Sequence, residues 1–303
     1  MYDVIVVGGG PAGMCACLNI LRAGRSVLIL ERDSFGGQMA TSPRLENIPG
    51  IKSISGLDYS DQLFEQISEL GAEFELEDVT KIEKKDNIFI VTTNYKQYEC
   101  YSVILANGCS HRKMGLPKEE KLTGKGISYC AVCDGAFYIG KEACVIGDAN
   151  SALQYALMLS NYCPKVHIFA LFNHLFADQI LIDRVRNDSK FDVTYNVSLQ
   201  EFIGEEELTG LRFKNTQTNE ELLVDTNNVF IAIGQIPHNE NFKDFIELDK
   251  NGFIITNENM ETNVPGIFAI GDTRVKAVRQ VTTALGDASV VSVFVDRYLR
   301  NIK

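Results

Sequence analysis

The sequence predicts an α/β protein that contains two Rossmann-like units. One observation is that a pattern of apolar strand, glycine-containing turn, helix and second apolar strand starts near residue 2 and again near residue 143. The other is the length of 303 residues, which is too long for one typical domain and favours two. An apolar content of 45% supplies a large core.

The first unit opens the chain. Tyr2–Val7 is a run of mostly β-branched residues that predicts a buried strand, and the helical stretch Met14–Ala23 follows the turn at residues 8–13. A second apolar strand, Val27–Leu30, ends at Glu31. These elements fit within the length of one βαβ unit.

The turn at residues 8–13, GGGPAG, has the spacing of a dinucleotide fingerprint. Gly8 allows the tight turn, Gly10 lets the backbone approach a pyrophosphate, and Gly13 lets the helix pack closely on the strand. The helix N-terminus offers free N–H groups to the phosphates, and Glu31 suits a pair of ribose hydroxyls. The pattern predicts a dinucleotide site without distinguishing NAD from FAD.

The stretch between the two units shows short helix, strand and loop signals. We predict a helix at Gly56–Leu70, a strand region at Ala72–Val79, a hairpin of Ile88–Thr92 with Gln97–Cys100, and a strand at Ser102–Leu105 that leads into Ala106, Asn107 and Gly108. Residues 36–38 and 46–50 are interpreted as loops, and the polar stretch His111–Gly126 as a linker out of the first domain.

A pair of cysteines, Cys130 and Cys133, precedes the second unit. Two cysteines at this spacing can close and open a disulfide, and Asp134 directly behind them can supply or remove the proton that thiol–disulfide exchange needs. The spacing alone also fits half of a zinc site or two core cysteines. A structural zinc site needs four ligands, and the sequence contains no second C-x-x-C and no H-x-x-x-H.

The first pattern then repeats in a damaged form. Ala143–Ile146 predicts a strand, a helix runs to Ser160, and Val166–Phe169 predicts the second strand. The turn between them, at residues 147–152, is GDANSA. Ala149 replaces the glycine that admits a pyrophosphate, and Asp148 adds a negative charge beside it.

The residues after this second strand also depart from a nucleotide site. NADP needs cations here for its 2′-phosphate, and NAD prefers an acid for its ribose. The segment at residues 170–176, ALFNHLF, supplies neither. We expect Leu171, Phe172 and Phe176 to line a pocket that disfavours a phosphate.

The last part of the chain supplies further strands and a closing helix. We predict strands at Val229–Ile233, Gly252–Thr256 and Ile267–Ile270, and a helix at Thr282–Arg300. Asp272 stands between a strand end and a helix, where an acid can hold a polar ribityl chain. Without the first fingerprint it would be interpreted as a turn residue.

Composition limits location and partners. No apolar run approaches the length of a membrane span, and the chain enters a strand at once, so we expect no membrane segment and no signal peptide. Eight cysteines with one close pair fit a reducing, cytoplasmic compartment. A net charge of −11 argues against nucleic acid as a partner, and four dispersed histidines predict no metal site.

Together these motifs resemble the low-molecular-weight thioredoxin reductases over essentially the whole chain. The shared motifs are GGGPAG at 8–13, GGQ at 36–38, ENIPG at 46–50, CAVCDG at 130–135, AIG at 232–234, GD at 271–272 and RQV at 279–281. The resemblance implies a three-layer β/β/α architecture with a discontinuous FAD domain, residues 1–111 and 239–303. It also implies an inserted redox-dithiol domain, residues 112–238, whose nucleotide site is degenerate.

The resemblance further implies a non-covalently bound FAD and its binding residues. These are Gly8, Gly10, Pro11, Ala12, Gly13, Glu31, Arg32, Gly37, Gln38, Asn47, Val79, Ala106, Asn107, Gly108, Gly271, Asp272, Arg279, Gln280 and Val281. By the same resemblance, Cys133 receives electrons from the flavin, Cys130 attacks the disulfide of thioredoxin, and Asp134 is the general acid/base. Family members are usually homodimers, which we expect here.

The electron donor is where the chain departs from ordinary members. Those members carry a complete second fingerprint, an H-R-R triplet followed by a later arginine for NADPH, and a glutamate where this chain has Gln154. The chain therefore resembles the NADPH-independent branch that includes ferredoxin-dependent flavin thioredoxin reductases. We expect reduced ferredoxin as donor and NADPH to be unused.

Two other interpretations remain open: an NAD(P)H-dependent thioredoxin reductase with an atypical pocket, and a non-catalytic redox-sensing flavoprotein. The thioredoxin-reductase-like ferredoxin–NADP reductases lack the redox cysteines, so Cys130 and Cys133 argue against that relative. Ferredoxins are usually acidic, so a basic patch is expected to receive one. The candidate residues are Arg22, Arg25, Arg112, Lys113 and Lys118.

Overall fold

The computed structural model describes residues 1–42 and 45–302. The chain folds as two compact units. The terminal unit consists of Met1–Ser110 and Ile236–Lys303, and the central unit of His111–Gln235. Each contains a sheet with parallel strands, together with helices, and the sheet of the terminal unit is mixed because it also contains antiparallel strand pairs. This architecture confirms the predicted α/β fold with two Rossmann-like units.

The terminal unit is built on a seven-stranded sheet of order β3-β2-β1-β6-β5-β4, with β17 paired to β6. The strands of the sheet are β1 (Tyr2–Val7), β2 (Val27–Glu31), β3 (Glu73–Leu76), β4 (Val79–Lys85), β5 (Ile88–Thr93), β6 (Gln97–Leu105) and β17 (Ile267–Ala269). The helices are α1 (Pro11–Arg22), α2 (Gly37–Ala40), α3 (Gly56–Glu69) and α8 (Val281–Ile302). Two further short strands, β7 (Cys109–His111) and β16 (Gln235–Pro237), pair with each other.

Strand β1 shows why the centre of this sheet is apolar. Val4 and Val6 pack into a core cluster with α1 and α8, whereas Ile5 and Val7 pack into a second cluster on the opposite face. A parallel strand buried on both faces requires a continuous apolar run, as in the sequence of β1. Its carboxyl end lies beside that of β6, since Val7 pairs with Leu105.

The central unit has three layers. A parallel sheet of order β11-β10-β9-β15-β8 lies between helices and an antiparallel sheet of order β12-β13-β14. Its strands are β8 (Ile127–Ser128), β9 (Ala143–Ile146), β10 (Val166–Phe169), β11 (Phe191–Thr194), β12 (Val197–Ile203), β13 (Gly210–Asn215), β14 (Glu221–Asp225) and β15 (Val229–Ile231). Its helices are α4 (Glu119–Leu122), α5 (Ala131–Asp134), α6 (Asn150–Leu159) and α7 (Gln179–Arg186).

Five predictions differ from the structure. Residues 36–38, predicted as a loop, include the start of helix α2 at Gly37. The first helix starts at Pro11 rather than Met14, because proline suits the first helical position. The two predicted strands within residues 97–105 form one strand. Gly252–Thr256 is not a strand; its Ile254 makes only isolated bridges. The predicted linker at 111–126 contains helix α4.

Two negative findings apply to residues 1–42 and 45–302. No helix there is long and apolar enough to cross a membrane. No group of three or more histidine, cysteine or acidic side chains is arranged to hold a metal ion.

Candidate functional site

The glycines of the first turn differ in what surrounds them. Gly8 has φ +109°, and a Cβ there would overlap the carbonyl oxygen of Ala106. A Cβ on Gly13 would overlap the carbonyl oxygen of Gly8. Gly10, the N-cap residue of α1, has nothing within 4 Å of the position where a Cβ would stand. Two glycines therefore close the backbone tightly, and the middle one leaves an open approach to the helix N-terminus.

A cleft of about 140 Å³ lies beside this turn within the terminal unit. Glu31 is fixed at its edge, because the Gly9 N–H donates to its Oε2 at 2.6 Å and the Asp33 N–H to its Oε1 at 2.9 Å. Five predicted residues line the cleft: Gly8, Glu31, Arg32, Val79 and Asn107. Eight further lining residues carry no motif and were not predicted: Val7, Leu30, Glu77, Asp78, His238, Glu240, Asn241 and Phe242.

The predicted Gly271 and Asp272 lie near the same turn. Gly271 has φ +68°, and a Cβ there would stand 2.8 Å from the Cβ of Ala12. The Asp272 carboxyl is buried, and none of the described residues gives its Oδ1 a hydrogen bond. Burial raises the pKa of Asp272 to about 6, against the opposing effect of nearby Lys276 and Arg279. A buried, unsatisfied carboxyl oxygen is costly and suits a ligand that donates a hydrogen bond.

Arg279 is held next to this acid by three contacts. Its guanidinium lies 4.1 Å from the ring centroid of Phe253, and it donates to the carbonyl oxygens of Asp272 and Arg274 at 3.4 Å. Gln280 and Val281 follow at the start of α8.

The other residues that were predicted to bind FAD fall into two groups. A Cβ on Gly37 would stand 3.4 Å from Gly10 Cα, and the Gln38 amide donates to the carbonyl oxygen of Cys109. Ala106 donates its N–H to the Val7 carbonyl at 2.7 Å, and Gly108 has φ +62°. Asn47 is different, since it is exposed in the surface loop after Leu45 and is not among the residues that line the cleft.

The cysteine pair lies in the central unit as a disulfide, Cys130–Cys133, with Cα atoms 5.3 Å apart. Cys130 is the N-cap residue of the short helix α5, and its Sγ accepts from the Cys133 N–H at 3.2 Å. Asp134 ends this helix and is half-buried. Burial raises the pKa of Asp134, and a hydrogen bond from Ser128 opposes that rise. The redox pair and an acid with a perturbed pKa therefore share one turn of chain.

The second glycine turn, at residues 147–152, has the backbone conformation of the first turn but different side chains around it. Gly147 has φ +144°, and a Cβ there would approach the Ala232 carbonyl, so glycine is required. Ala149 is the N-cap residue of α6, with a methyl group where the first turn has open space. The Phe176 N–H donates to the Asp148 carbonyl at 2.7 Å, and Phe176 pairs with Ala149 in a parallel bridge.

This pairing fixes residue 176 beside the turn whatever its side chain. In this chain it is a phenylalanine that is 55% exposed, and its ring contacts Phe172 at 5.3 Å and His174 at 4.2 Å between centroids. Burial raises the pKa of Asp148, which disfavours its charged form. No Lys or Arg is present in residues 170–176, and the segment pairs with this turn through Phe176, while His174 lies close enough to oppose the rise in the pKa of Asp148.

Comparison with known proteins identifies the class. The family model for pyridine nucleotide-disulphide oxidoreductases matches residues 2–288. Thioredoxin reductase from Listeria monocytogenes is 39% identical over 100% of this chain and 95% of its own length. A 34.2 kDa protein in the rubredoxin operon of Clostridium pasteurianum is 36% identical over 98% and 97%. The crystal structure of thioredoxin reductase from Streptococcus pyogenes is 37% identical, covers 99% of both chains and superimposes with a TM-score of 0.95.

Two Rossmann-like units and a disulfide beside an acid are typical of the flavin-type disulfide oxidoreductases, and the family match places the chain in that class. The chain belongs to the low-molecular-weight thioredoxin reductases, within the pyridine nucleotide-disulphide oxidoreductase family. Membership of this family supports FAD as the cofactor, and the residues of the terminal unit fit it. The open space at Gly10, the cleft beside Glu31 and the unsatisfied Asp272 carboxyl are the features that a dinucleotide requires.

Proposed function

We propose that this chain reduces thioredoxin through the Cys130–Cys133 pair, with electrons that reach FAD from reduced ferredoxin and not from NADPH. In this proposal the terminal unit is the FAD domain and the central unit is the inserted dithiol domain. Thioredoxin as substrate follows from the relatives, which are named thioredoxin reductases. The observation that carries the choice of donor is the second turn, where Asp148, Ala149 and Phe176 stand together.

The proposed chemistry at the dithiol is an exchange that conserves two electrons and two protons. The Cys130 thiolate attacks one sulfur of the thioredoxin disulfide, and the other sulfur leaves as a thiolate. Cys133 then attacks Cys130, which reforms the enzyme disulfide and releases reduced thioredoxin. Asp134 takes the proton of the attacking thiol and returns a proton to the departing sulfur.

The proposed FAD residues divide by chemistry. Gly10 and the N-terminus of α1 would face the pyrophosphate, Glu31 would accept from ribose hydroxyls, and Asp272 would accept from the ribityl chain. Arg279 and Gln280 would flank the isoalloxazine ring. When bound, FAD supplies the capacity to take up electrons and deliver a pair to a disulfide.

The argument against NADPH is electrostatic and steric. A dinucleotide pyrophosphate needs a bare backbone and positive partners, and its 2′-phosphate needs an additional cation. The second turn offers a methyl group, an acid and an aromatic ring instead. Each missing charge-assisted contact is worth about 1.5–3 kcal/mol, so losing three weakens binding by several powers of ten.

The competing function is an NAD(P)H-dependent thioredoxin reductase. The family model is named for pyridine nucleotides, and Gly147 keeps the strained backbone of a working fingerprint. The two functions differ in what reduces the flavin. A redox-sensing flavoprotein, the third interpretation, predicts no sustained turnover with thioredoxin.

The deciding experiment is to reduce the FAD-loaded protein anaerobically and to monitor the absorbance of the flavin. Separate samples receive excess NADPH, NADH, reduced ferredoxin, or reduced rubredoxin, the last because one relative is named for a rubredoxin operon. We expect ferredoxin to bleach the flavin and to support thioredoxin reduction that a Cys133→Ser variant abolishes. Bleaching by NADPH or NADH on a catalytic timescale would establish the competing function.

A graft sharpens the same test. We expect Asp148→Gly and Ala149→Gly, combined with Leu171→Arg, Phe172→Arg and Phe176→Arg, to create measurable NADPH binding. The matched control carries the three changes to glutamine instead of arginine, so that it loses the apolar surface without gaining charge. Equal NADPH binding by the graft and its control would contradict the electrostatic argument.

Most of the basic residues predicted from the sequence to receive ferredoxin form ion pairs within the chain. Arg25 pairs with Asp296 at 2.6 Å, Lys113 with Glu120 at 2.6 Å and Lys118 with Glu205 at 2.8 Å. No residue that the structure describes forms an ion pair with Arg22 or Arg112. These two are therefore the first positions at which to test charge reversal against the ferredoxin-driven rate.

A further inference from the structure

Ser128 lies at the end of β8 and is 5% exposed. Its hydroxyl has two partners that matter for the dithiol. It donates to Asp134 Oδ2 at 2.6 Å and accepts from the Cys130 N–H at 3.1 Å. One hydroxyl thus joins the acid to the backbone of the cysteine two residues later. Such a short hydrogen bond to a carboxylate is of the charge-assisted kind.

Two tyrosine side chains also lie near Asp134, but neither forms a hydrogen bond with its carboxyl. Tyr155 on α6 lies close enough for the charge of Asp134 to affect its pKa, but its hydroxyl donates to the Tyr129 carbonyl at 3.0 Å. Tyr138, in the 3-10 helix after α5, is affected in the same way. Among the described residues, Ser128 is the side chain that donates to this carboxyl.

We propose that Ser128 is a positioning residue for the dithiol chemistry, which holds the Asp134 carboxyl in register with the turn that carries Cys130. The inference rests on the proposed role of Asp134 as acid and base. The serine hydroxyl neither gains nor loses a proton in the reaction. It stabilises the carboxylate, and so opposes the effect of burial on the proton that Asp134 must exchange.

The test uses the full-length protein with the disulfide intact, because disulfide cysteines do not titrate and Asp134 then titrates without them. The protonated carboxyl is followed by infrared difference spectroscopy against pH, and its band is assigned by its absence in Asp134→Asn. We expect Ser128→Ala to move the midpoint upward by about one pH unit, because burial is then unopposed. Ser128→Thr, which keeps a hydroxyl, should restore the midpoint.

A matched control is Ser102→Ala in the terminal unit. Ser102 is also fully buried and donates one hydrogen bond, to the Gly266 carbonyl at 2.9 Å, but no acid is involved. We expect it to leave the Asp134 midpoint unchanged. A midpoint for Ser128→Ala equal to that of the unmodified protein would overturn the inference, as would a shift of the same size in Ser102→Ala.

A second measurement separates this inference from the proposed function. Chemically reduced protein is mixed with oxidised thioredoxin in a single turnover, so no electron donor is required. We expect Ser128→Ala to lower the rate at saturating thioredoxin about 10-fold without changing the half-saturating concentration, because Ser128 acts through Asp134. If the unmodified protein itself fails to reduce thioredoxin, the proposed function fails, while the infrared midpoints still decide the role of Ser128.

Discussion

The turn at residues 8–13 and the turn at residues 147–152 begin α1 and α6 in the same way. Gly10 and Ala149 are the N-cap residues of these helices, with ψ of −178° in both. The first glycine of each turn has positive φ and could not carry a Cβ without meeting a backbone carbonyl. The two turns are therefore alike in backbone and differ in side chains.

The difference shows which part of the fingerprint specifies fold and which specifies ligand. The strained first glycine persists in both turns because the strand-to-helix connection requires it. The middle position has no such requirement, since its conformation suits any residue. An alanine there leaves the fold intact and occupies the space where a pyrophosphate would approach. Spacing thus predicts the fold, and the middle residue predicts whether a dinucleotide binds.

The largest expected effect is at Asp272, which follows the last strand of the terminal unit. Its Oδ1 is buried without a hydrogen-bond partner among the described residues, and no described side chain of the turn at 147–152 has such an atom. With a pKa raised to about 6, Asp272 keeps its proton in the folded state where the unfolded chain has lost it. The contribution of Asp272 to the stability of the FAD-free protein should therefore fall as pH rises from about 4 to 6. Asp272→Asn should remove this loss, a gain of up to about 3 kcal/mol at pH 7.5 and none at pH 4.

Denaturant unfolding of the FAD-free protein at the two pH values measures this gain. Asp148→Asn is the control in the other turn. Because a backbone hydrogen bond and His174 oppose the effect of burial on the pKa of Asp148, we expect its effect to be well below that of Asp272. An equal gain at pH 4 and pH 7.5 would show that the charge of Asp272 is not the cause.

The next largest effect distinguishes the last glycine of the first turn, Gly13, from the residue at the same position of the second turn. Gly13→Ala would place a methyl group on the Gly8 carbonyl, so we expect a loss of about 3 kcal/mol in unfolding free energy. The equivalent position in the central unit is already Ala152, which is fully buried. Ala152→Gly should cost only about 1 kcal/mol through helix propensity and lost packing. Denaturant unfolding of both variants checks the asymmetry, which equal losses would refute.

The parts of the fold that depend on local pattern could be predicted from sequence. Strands Ala143–Ile146 and Val166–Phe169 have their predicted limits. The first is an apolar run between Glu142 and Gly147, and the second is a mostly apolar run that begins after Lys165. The residues at 252–256 show the limit of such patterns. Their apolar run, Phe253–Ile255, is strand-like, but a strand also needs a paired neighbour, and Ile254 finds only isolated bridge partners.

The site was predictable where a motif carried it and not where distant segments meet. Asn241 lines the cleft and donates to the Val79 carbonyl at 3.1 Å, although 162 residues separate them. Nothing in the local sequence of Asn241 signals that contact. Ser128 was missed for a related reason, since a single serine at a strand end has no pattern, and only the fold brings its hydroxyl to Asp134.

The smallest effect tests the middle positions directly. Gly10→Ala adds a methyl group into open space, so the free energy of unfolding should hardly change. FAD affinity, measured by titrating the FAD-free protein calorimetrically, should fall about 10-fold, because the methyl group occupies part of the approach to the pyrophosphate. The reciprocal change, Ala149→Gly, should leave FAD affinity unchanged and should not by itself create NADPH binding, since Asp148 and Phe176 remain. A Gly10→Ala variant with unaltered FAD affinity would mean that this turn does not face the pyrophosphate, and the contrast between the two turns would then lose its functional meaning.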